Sequence, residues 1–415
     1  MLLSYSIKNW KSIKEKCTID FKAKSIKDHQ NNEHHLLDNS ILPIVVIYGP
    51  NGGGKSNFIN SIWELMNIIY DPFWLEQRFF IINEFKNKDA INEPIEWELI
   101  FQTKENKRIR YQIAILPSNN NIEITNECLT IFENNKERNF FCLKNGNYQS
   151  DYKVLENIQN NLINKNSKTP MITFLKQFLK LPEIDEFWNE FSKIGAMNQT
   201  NEKSASFTNN PNFFISKSPM FNVYMINDQQ FNFINDNKKD ILAIFKQLDI
   251  NIVDLKINKV DQYLYSITSV KQSNYGSTIE IPFESESCGT RELFILLLTF
   301  IKYIKTDAIF FIDELDCHLH TKILRYIIKM FTNQKNTQAQ LIYTSHDIPT
   351  LDKELFRRDE IYFAAINESY FTDLISLNEF GDSIRSNQSY SKLYLDGKIG
   401  YDPYVDYSLK EFNDE

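Results

Sequence analysis

Hydrophobic and polar residues alternate at the start of the chain, over residues 3–7, which predicts a first β-strand. Residues 17–21 predict a second strand. The continuous apolar run at residues 41–48 is rich in β-branched side chains and is typical of a strand that is buried on both faces. After Ser56, apolar residues recur at helical spacing. The sequence therefore predicts a buried strand, a short loop beginning at Gly49, and a helix, in that order.

The next part of the chain is predicted to be rich in β-structure. Apolar alternation over residues 95–101, 108–116 and 122–132 is typical of an antiparallel meander. Further strands are expected near residues 253–260 and 263–270, and the runs AIFFI and AQLIYTSH predict two more. The sequence shows no repeat and no sustained heptad array.

Composition changes after the meander. The pattern is helical from about residue 153 to residue 194, and residues 195–219 are polar, rich in Asn and Ser, and predict a mobile loop. We therefore expect one main domain interrupted by an insertion. Its predicted parts are residues 1–150, a mainly helical insertion at residues 151–219, and residues 220–415.

Composition and charge narrow the class of protein. The 415 residues are 42% hydrophobic and 24% charged, and the net charge of -8 argues against a surface that binds nucleic acid throughout, while leaving room for a local basic groove. The five cysteines form no CxxC pair, so we expect no disulfide framework and a reducing, cytoplasmic location. No apolar run approaches the ~18 residues of a membrane span, so we expect no membrane partner.

The segment GPNGGGKS, residues 49–56, matches the pattern G-x-x-x-x-G-K-[ST]. Glycines let the backbone wrap phosphate oxygens, and the start of the following helix favours anions. We expect Lys55 to reach the β- and γ-phosphates of ATP, and the Ser56 hydroxyl to bind Mg²⁺. A glycine-rich turn capped by serine is the alternative, but the strand before it and the helix after it favour nucleotide binding. The residues expected to contact the nucleotide are Gly49, Pro50, Asn51, Gly52, Gly53, Gly54, Lys55, Ser56 and Asn57.

Polar residues also follow two later apolar runs. Asp313 and Glu314 lie at the end of IFFID, where a carboxylate can hold Mg²⁺ and a following glutamate can polarise the attacking water. We assign the first role to Asp313 and the second to Glu314, although acidic residues also cap strands. His346 is expected at the carboxyl end of another strand, where ligands bind in parallel sheets. It could contact the γ-phosphate or orient the water, but a lone histidine is often structural.

Cysteine and histidine residues lie just beyond the acidic pair. The spacing of Cys317, His318 and His320 gives no clear tetrahedral ligand set, and no second Cys/His pair completes one. We expect no metal site at these positions and assign them to a subunit contact.

The stretch SESCGTRELFILLLTF, residues 285–300, places small polar residues before a long apolar helix. Taken alone, Ser287 is typical of a helix cap. Ser287 and Gly289 also lie at the start of a helix, where an anion can bind. Because residues 49–56 already bind the phosphates in the same chain, this second site has no phosphate of its own chain to bind.

The order of these segments resembles the ABC-type ATPases, including the structural-maintenance-of-chromosomes class. In this chain, as in that class, a phosphate loop is followed by a long interval and then by an S-x-G segment before a helix. A strand ending in Asp-Glu and a strand ending in Ser-His come next. Within that class, the chain resembles the bacterial phage-defence ATPases of the RloA/AbiL and PARIS type, relatives of the OLD family. The segments that carry this resemblance are YSIKNWKSIKE, INEPIEWELIF, SESCGTRELFILL, IDELDCHLHTKILRYII and KLYLDGKIGYDPYV.

The resemblance implies an α/β fold of the ABC-type P-loop ATPase head, with a mostly parallel sheet flanked by helices, an antiparallel β-meander and a helical insertion. It also implies that ATP is held between two heads of a homodimer, which could assemble further. One head would supply the phosphate loop, the acidic pair and His346, and the other would supply Ser287 and Gly289 to the γ-phosphate.

The sequence departs from the family pattern at two points. Cys288 stands where the signature usually has Gly or Ser, and a small side chain should fit there. The glutamine of the family's Q-loop has only two weak candidates, Gln77 and Gln102.

The function expected from the resemblance is an ATPase that senses infection or gates an effector nuclease in bacterial antiphage defence. The segment after His346 is too short for the Toprim nuclease domain of OLD proteins, so we expect any nuclease on a separate Toprim-like or HNH protein. One alternative is a DNA-repair or chromosome ATPase that binds DNA through residues 107–110 or 357–358. Two further alternatives are the nucleotide-binding subunit of a transporter and a nucleotide-dependent scaffold with slow turnover.

Overall fold

The computed structural model describes residues 1–26, 29, 32–36, 39–71, 93–118, 121–133, 136–144, 147–152, 155, 169–198, 205–207, 216–217, 224–225, 228–261, 264–273, 276–332, 338–384 and 388–400. The strands are β1 (Leu2–Lys8), β2 (Cys17–Asp20), β3 (His34–Leu36), β4 (Asn39–Ile41), β5 (Ile44–Tyr48), β6 (Ile95–Gln102), β7 (Arg108–Ser118), β8 (Asn121–Glu133), β9 (Lys136–Lys144), β10 (Asn147–Gln149), β11 (Ile194–Asn198), β12 (Ala205–Phe207), β13 (Ser216–Lys217), β14 (Tyr224–Met225), β15 (Asp254–Asp261), β16 (Leu264–Gln272), β17 (Thr278–Pro282), β18 (Ile309–Asp313), β19 (Gln340–Thr344), β20 (Ile361–Ile366) and β21 (Thr372–Ser376). The helices are α1 (Lys55–Tyr70), α2 (Met171–Phe178), α3 (Pro182–Phe191), α4 (Asp228–Gln247), α5 (Cys288–Tyr303), α6 (Thr321–Thr332) and α7 (Tyr390–Leu395). No helix in the described part of the chain is long and apolar enough to cross a membrane.

The central sheet has seven strands in the order β12-β11-β18-β19-β5-β20-β21. Its five inner strands are parallel, and β12 and β21 pair antiparallel at the two edges. β5, β18 and β19 are buried along their whole length, as expected for parallel strands covered on both faces. Because parallel strands end at the same edge of a sheet, the segments that follow Tyr48, Asp313 and Thr344 lie at one edge.

Alternate residues of the central strands face two different hydrophobic cores. In β5, Val45 and Ile47 belong to one core, whereas Ile44 and Val46 belong to the other. This division follows from the two-residue period of a strand, whose side chains point alternately to opposite faces. The central sheet is therefore packed on both sides.

A second seven-stranded sheet is antiparallel throughout, in the order β10-β9-β8-β7-β6-β1-β2. The two N-terminal strands and the meander predicted from the sequence are confirmed. The ring of Tyr5 in β1 contacts Phe58 of α1 and Phe311 of β18 edge-on, with centroids 5.3 and 5.7 Å apart. The meander and the central sheet thus share a core that holds α1 in place.

Cys128 and Cys142 face each other across β8 and β9 and form a disulfide, with their Cα atoms 4.0 Å apart. The expectation of no disulfide, which was based on the absence of a CxxC pair, is wrong for these two residues. The pairing of the two strands brings the thiols together, and their spacing along the chain gives no indication of it.

The segment predicted as a helical insertion contains α2 and α3, and also two strands of the central sheet, β11 and β12. The Glu127 carboxylate accepts hydrogen bonds from the backbone amides of Met171 and Ile172, at 2.6 and 2.9 Å, and so anchors α2 to the meander. β11 then pairs in parallel with β18, and Asn198 lies level with Asp313. The predicted loop is therefore wrong for the first residues of the stretch 195–219, and most of the remainder lies outside the described residues. The domain boundaries stay a prediction.

A smaller sheet has the order β13-β14-β16-β15, with β17 also paired to β16, and it leads directly into α5. The Phe300 ring of α5 packs edge-on against Phe310 of β18 and Phe331 of α6, with centroids 5.4 and 5.1 Å apart. This contact fixes α5 against the second face of the central sheet. The tail beyond residue 400 lies outside the described residues.

Candidate functional site

The glycine-rich loop at residues 49–54 joins the end of β5 to the start of α1. Gly49 has φ +151°, and a Cβ at this position would overlap the backbone carbonyl oxygen of Ala364 on β20. Only glycine allows so close an approach. No side chain caps the start of α1, where the N-cap residue is Gly54. The first amides of the helix therefore remain available to an anion at this end.

Lys55 is the first residue of α1, and its side chain reaches back into this loop. Its Nζ donates to the carbonyl oxygens of Gly49 and Pro50, at 2.8 and 2.9 Å, and the residue is only 4% exposed. Burial lowers the pKa of Lys55 to about 8, although the carboxylates of Asp313 and Glu314 act in the opposite direction. A buried ammonium group at an uncapped helix start is arranged to receive a phosphate group.

Asp313 ends β18 and is 2% exposed. It accepts a hydrogen bond of 2.6 Å from the hydroxyl of Thr344, at the end of the neighbouring β19. The same hydroxyl accepts one of 2.7 Å from the amide of Glu314. Thr344 therefore fixes both acidic residues relative to the adjacent strand. The sequence reasoning missed it, although a threonine followed by serine and histidine at the end of an apolar run was a usable signal.

Glu314 turns the chain sharply, with φ 52°. Its carboxyl group is half-buried, and burial raises its pKa, helped by the nearby carboxylates of Asp313 and Asp316 and opposed by Lys55. A carboxylate with a raised pKa is a better proton acceptor, so Glu314 is chemically suited to act as a general base.

His346 follows β19 and is exposed. Its backbone amide donates to the Asp316 carboxylate at 3.0 Å. Partial burial of the ring and the positive charge of Lys55 lower the pKa of His346, while Asp316 and Asp313 raise it. The structure therefore brings the predicted histidine to the edge that carries Lys55 and the acidic pair. Asp316 is a further residue at this edge that the sequence reasoning missed.

The oxygen atoms at this edge fit Mg²⁺. The Ser56 hydroxyl lies in the first turn of α1, next to Lys55 in the chain. The buried Asp313 carboxylate is close enough to Lys55 to raise the pKa of the lysine, so it lies near the same helix start. Within the described part of the chain, Oδ1 of Asp316 is buried and has no hydrogen-bond partner. Hydroxyl and carboxylate oxygens are ligands that Mg²⁺ prefers, usually together with phosphate oxygens and water.

Asn57 stabilises the loop from behind. Its side-chain amide donates to the Ser12 hydroxyl at 2.7 Å, and Ser12 is hydrogen-bonded to Thr372, whose hydroxyl donates to the Gly53 carbonyl at 3.2 Å. The side chain of Asn57 thus supports the loop, and its expected contact with the nucleotide stays a prediction. Ser12 and Thr372 are distant in sequence, so their part in the loop gave no sequence signal. Asn51 and Gly52 are exposed at the tip of the loop.

Ser287 is the N-cap of α5. Its hydroxyl oxygen accepts from the amide of Thr290 at 3.2 Å and is 2.8 Å from the Thr290 hydroxyl. The helix cap expected from the sequence is therefore present. Ser287 is exposed, and Gly289 packs against the carbonyl of His318, in the loop that follows the acidic pair.

Other predicted candidates serve the fold. Gln102 is buried in β6, where its side-chain amide donates to Asn106 at 2.9 Å, so it is not part of the site. Gln77 lies outside the described residues. Arg357, expected in a basic patch, is fully buried and pairs with Asp359 at 2.9 Å and Glu33 at 2.5 Å.

The basic patch at residues 107–110 is partly neutralised by acidic side chains. Lys107 pairs with Glu186, and Arg110 pairs with Glu137, each at 2.6 Å. Arg108 lies over the ring of Phe132, 5.5 Å from its centroid. Of the five basic residues in the two predicted patches, Lys107, Arg110 and Arg357 are therefore paired with carboxylates, while Arg358 donates to the backbone carbonyls of Gly381 and Ile384.

The site combines a glycine-rich loop between a buried strand and a helix, a buried lysine, and a carboxylate at the end of a nearby parallel strand. These features define a P-loop nucleotide-binding site. The family comparison agrees. The chain belongs to the family described as "AAA domain, putative AbiEii toxin, Type IV TA system", whose profile matches residues 44–352. It is thus a P-loop ATPase of that family.

Comparison with other proteins gives two further results. No curated protein matches the chain. Similar solved structures include one titled "Crystal structure of the SmcHead bound to the C-winged helix domain of ScpA", with 13% identity, a TM-score of 0.45, and coverage of 91% of this chain and 98% of that one. Another is the SMC head domain from Thermotoga maritima, with 12% identity, a TM-score of 0.37, and coverage of 90% and 98%.

Proposed function

We propose that this chain is a Mg²⁺-dependent ATPase that works as a homodimer and gates a separate effector protein in bacterial antiphage defence. The family description, which names a toxin of a toxin–antitoxin system, supports a role in defence. The observation that carries the enzymatic part is the meeting of Lys55, Glu314 and His346 at one edge of the central sheet.

Each residue at this edge has a role in the proposed site. Lys55 binds the β- and γ-phosphates, and Ser56 and Asp313 hold Mg²⁺, which would neutralise phosphate charge. Glu314 accepts the proton of the attacking water. His346, whose lowered pKa favours the neutral ring, hydrogen-bonds to the γ-phosphate or to that water.

The dimer in this proposal rests on Ser287. The donors would be the exposed Ser287 hydroxyl and the amides in the first turn of α5 other than that of Thr290, which the Ser287 cap already binds. The chain's own phosphate loop already has a helix start and a lysine for the phosphates. A second copy would bring these donors to the γ-phosphate. ATP would then stabilise the closed dimer, and hydrolysis would release it.

Replacing Glu314 with Gln tests the ATPase and the dimer together. The variant keeps its size but loses the base, so we expect turnover to fall by at least about 100-fold, since general-base catalysis contributes 10²–10⁴-fold. ATP binding should persist, and light scattering with ATP should show stronger self-association than the wild type. Glu354→Gln is the matched control at an exposed glutamate. Equal turnover in the wild type and Glu314→Gln would instead support a nucleotide-dependent scaffold.

The partner in this proposal is a nuclease on another chain, of Toprim-like or HNH type. Co-expression with such a protein from the neighbouring gene should give a complex whose nuclease activity changes in Glu314→Gln. Metal-dependent nuclease activity in the purified chain alone, lost on mutating residues other than Asp313 and Glu314, would contradict it. Direct action on DNA is the weaker alternative, because Lys107, Arg110 and Arg357, three of the basic residues considered for it, are paired with carboxylates.

A further inference from the structure

Three side chains with different metal-ligating groups meet where the start of α5 approaches the loop after the acidic pair. They are Cys288, Glu292 and His318, and one ligand atom from each lies within 4.8 Å of those of the other two. Cys288 and Glu292 are half-buried and His318 is exposed. The group is open to solvent, so an ion can enter.

The backbone explains why these residues meet. Cys288 and Glu292 are four residues apart in α5 and share one face of the helix, with Sγ 3.6 Å from Oε1. His318 has φ 60°, and its carbonyl packs against Gly289, where any Cβ would overlap it. The glycine lets the loop lie directly on the first turn of α5. The sequence reasoning considered His318 with Cys317 and His320, and so missed this ligand set.

Cys317 supports the histidine ring. Its Sγ lies 3.4 Å from Nδ1 of His318. In metal sites, the ring nitrogen that does not bind the metal is generally held by another group, which fixes the orientation of the ligand. Cys317 is therefore placed to orient the His318 ring with Nε2 towards an ion.

We propose that Cys288, Glu292 and His318 bind one Zn²⁺ ion, separate from the Mg²⁺ of the phosphate site. One sulfur, one imidazole nitrogen and one carboxylate oxygen match the ligands of zinc, and the mixture of soft and intermediate donors disfavours Mg²⁺. The charges of a thiolate and a carboxylate offset the two charges of the ion, and the thiol proton is released to solvent on binding. A fourth position stays open to water.

The ion would link two parts of the proposed dimer site. Cys288 follows Ser287, and His318 follows Glu314 by four residues. Bound Zn²⁺ would therefore fix the start of α5 relative to the loop that carries the proposed base. Metal binding itself does not depend on the proposed function, because its ligands all come from one chain.

The test uses the full-length, chelator-treated protein with the Cys128–Cys142 disulfide intact, and Zn²⁺ or Co²⁺ alone. We expect one Zn²⁺ per chain by competition with a chromophoric chelator, and a thiolate-to-Co²⁺ absorption band. Cys288→Ser should abolish the band and lower Zn²⁺ affinity by at least about tenfold, and Glu292→Gln and His318→Asn should lower the affinity similarly. Asn is chosen at residue 318 because it tolerates positive φ.

Control variants separate this site from others. Cys17→Ser and His320→Gln should bind Zn²⁺ as the wild type does, because neither residue belongs to the group. Zn²⁺ should raise the melting temperature of the wild type but not of Cys288→Ser. The absence of a thiolate band in the wild type, or an unchanged band in Cys288→Ser, would overturn the assignment.

Discussion

The phosphate loop leads into the N-terminus of α1, and Ser287 precedes the N-terminus of α5, but the two helix ends differ in their capping. The first has no side-chain cap and encloses a buried lysine, whereas the second is capped by the exposed Ser287. The first end keeps its helix start uncapped beside the Lys55 ammonium group, an arrangement that suits an anionic ligand. The second is closed by its own cap, and the capping residue is exposed. This difference favours one end as the nucleotide site and the other as a contact with a second copy.

The largest effect in this comparison is expected from Lys55→Ala. Charged hydrogen bonds are worth about 1.5–3 kcal/mol each, so losing those to two phosphates should raise the Kd for ATP by at least about 100-fold. Fluorescent-nucleotide titration measures this, with Lys305→Ala as the control at an exposed lysine. Undiminished ATP binding in Lys55→Ala would show that the phosphate loop is not the nucleotide site.

Ser287→Arg separates the two helix ends. Replacing Ser287 removes its hydroxyl as a donor to the γ-phosphate held by the second copy but leaves the phosphate loop of its own chain intact. Turnover should therefore fall by about 100-fold, as when an oxyanion donor is lost, with unchanged ATP affinity. Turnover and nucleotide titration on the same sample check this. Ser277→Arg, in the exposed turn before β17, is the control. Normal turnover in Ser287→Arg would remove the basis for the dimer.

The pH dependence of ATP binding should reflect Lys55. Its pKa is lowered to about 8 in the free protein, so above that pH the lysine loses its proton, and the phosphates must bind a neutral amine or pay for its reprotonation. The Kd for ATP should therefore rise towards about tenfold per pH unit above about pH 8. In Lys55→Arg the charge persists, and the Kd should be nearly constant over the same range. A wild-type Kd that does not change with pH would contradict the lowered pKa.

The smallest functional effect is expected from the disulfide. Replacing Cys128 and Cys142 with Ser should lower the free energy of unfolding by at most about 3 kcal/mol, because the closed loop is short and both strands are already paired. ATP turnover should stay unchanged, because the two residues lie in the meander. Chemical denaturation and a turnover assay measure the two quantities. Lost turnover in a folded double variant would show that both helix ends depend on this part of the meander.

Local patterns predicted the parts of this molecule that are continuous in sequence. The run at residues 41–48 predicted β5, and the glycine-rich loop with its helix followed from the motif. Strand β11 was missed because it has only five residues, and its place in the sheet depends on β18. Burial against a distant strand leaves no periodic signal in so short a segment.

Contacts between distant segments account for the other omissions. Thr344 of β19 donates a hydrogen bond to Asp313 of the neighbouring β18. Ser12, which lies between β1 and β2, accepts one from Asn57 next to the phosphate loop. Arg357 looked like a surface cation, but its partner Asp359 and a glutamate more than 300 residues away bury it. Charge type in a sequence does not distinguish a solvated arginine from a paired and buried one.

Mixing two inactive variants tests the central claim most directly. In a shared site, Lys55 comes from one chain and Ser287 from the other, so Ser287→Arg and Lys55→Ala chains can form one intact site between them. An equimolar mixture should recover up to about a quarter of wild-type turnover, since half of the dimers are mixed and each of these has one good site of two. Turnover no greater than the sum of the two variants alone would contradict an ATP site shared between two copies of this chain.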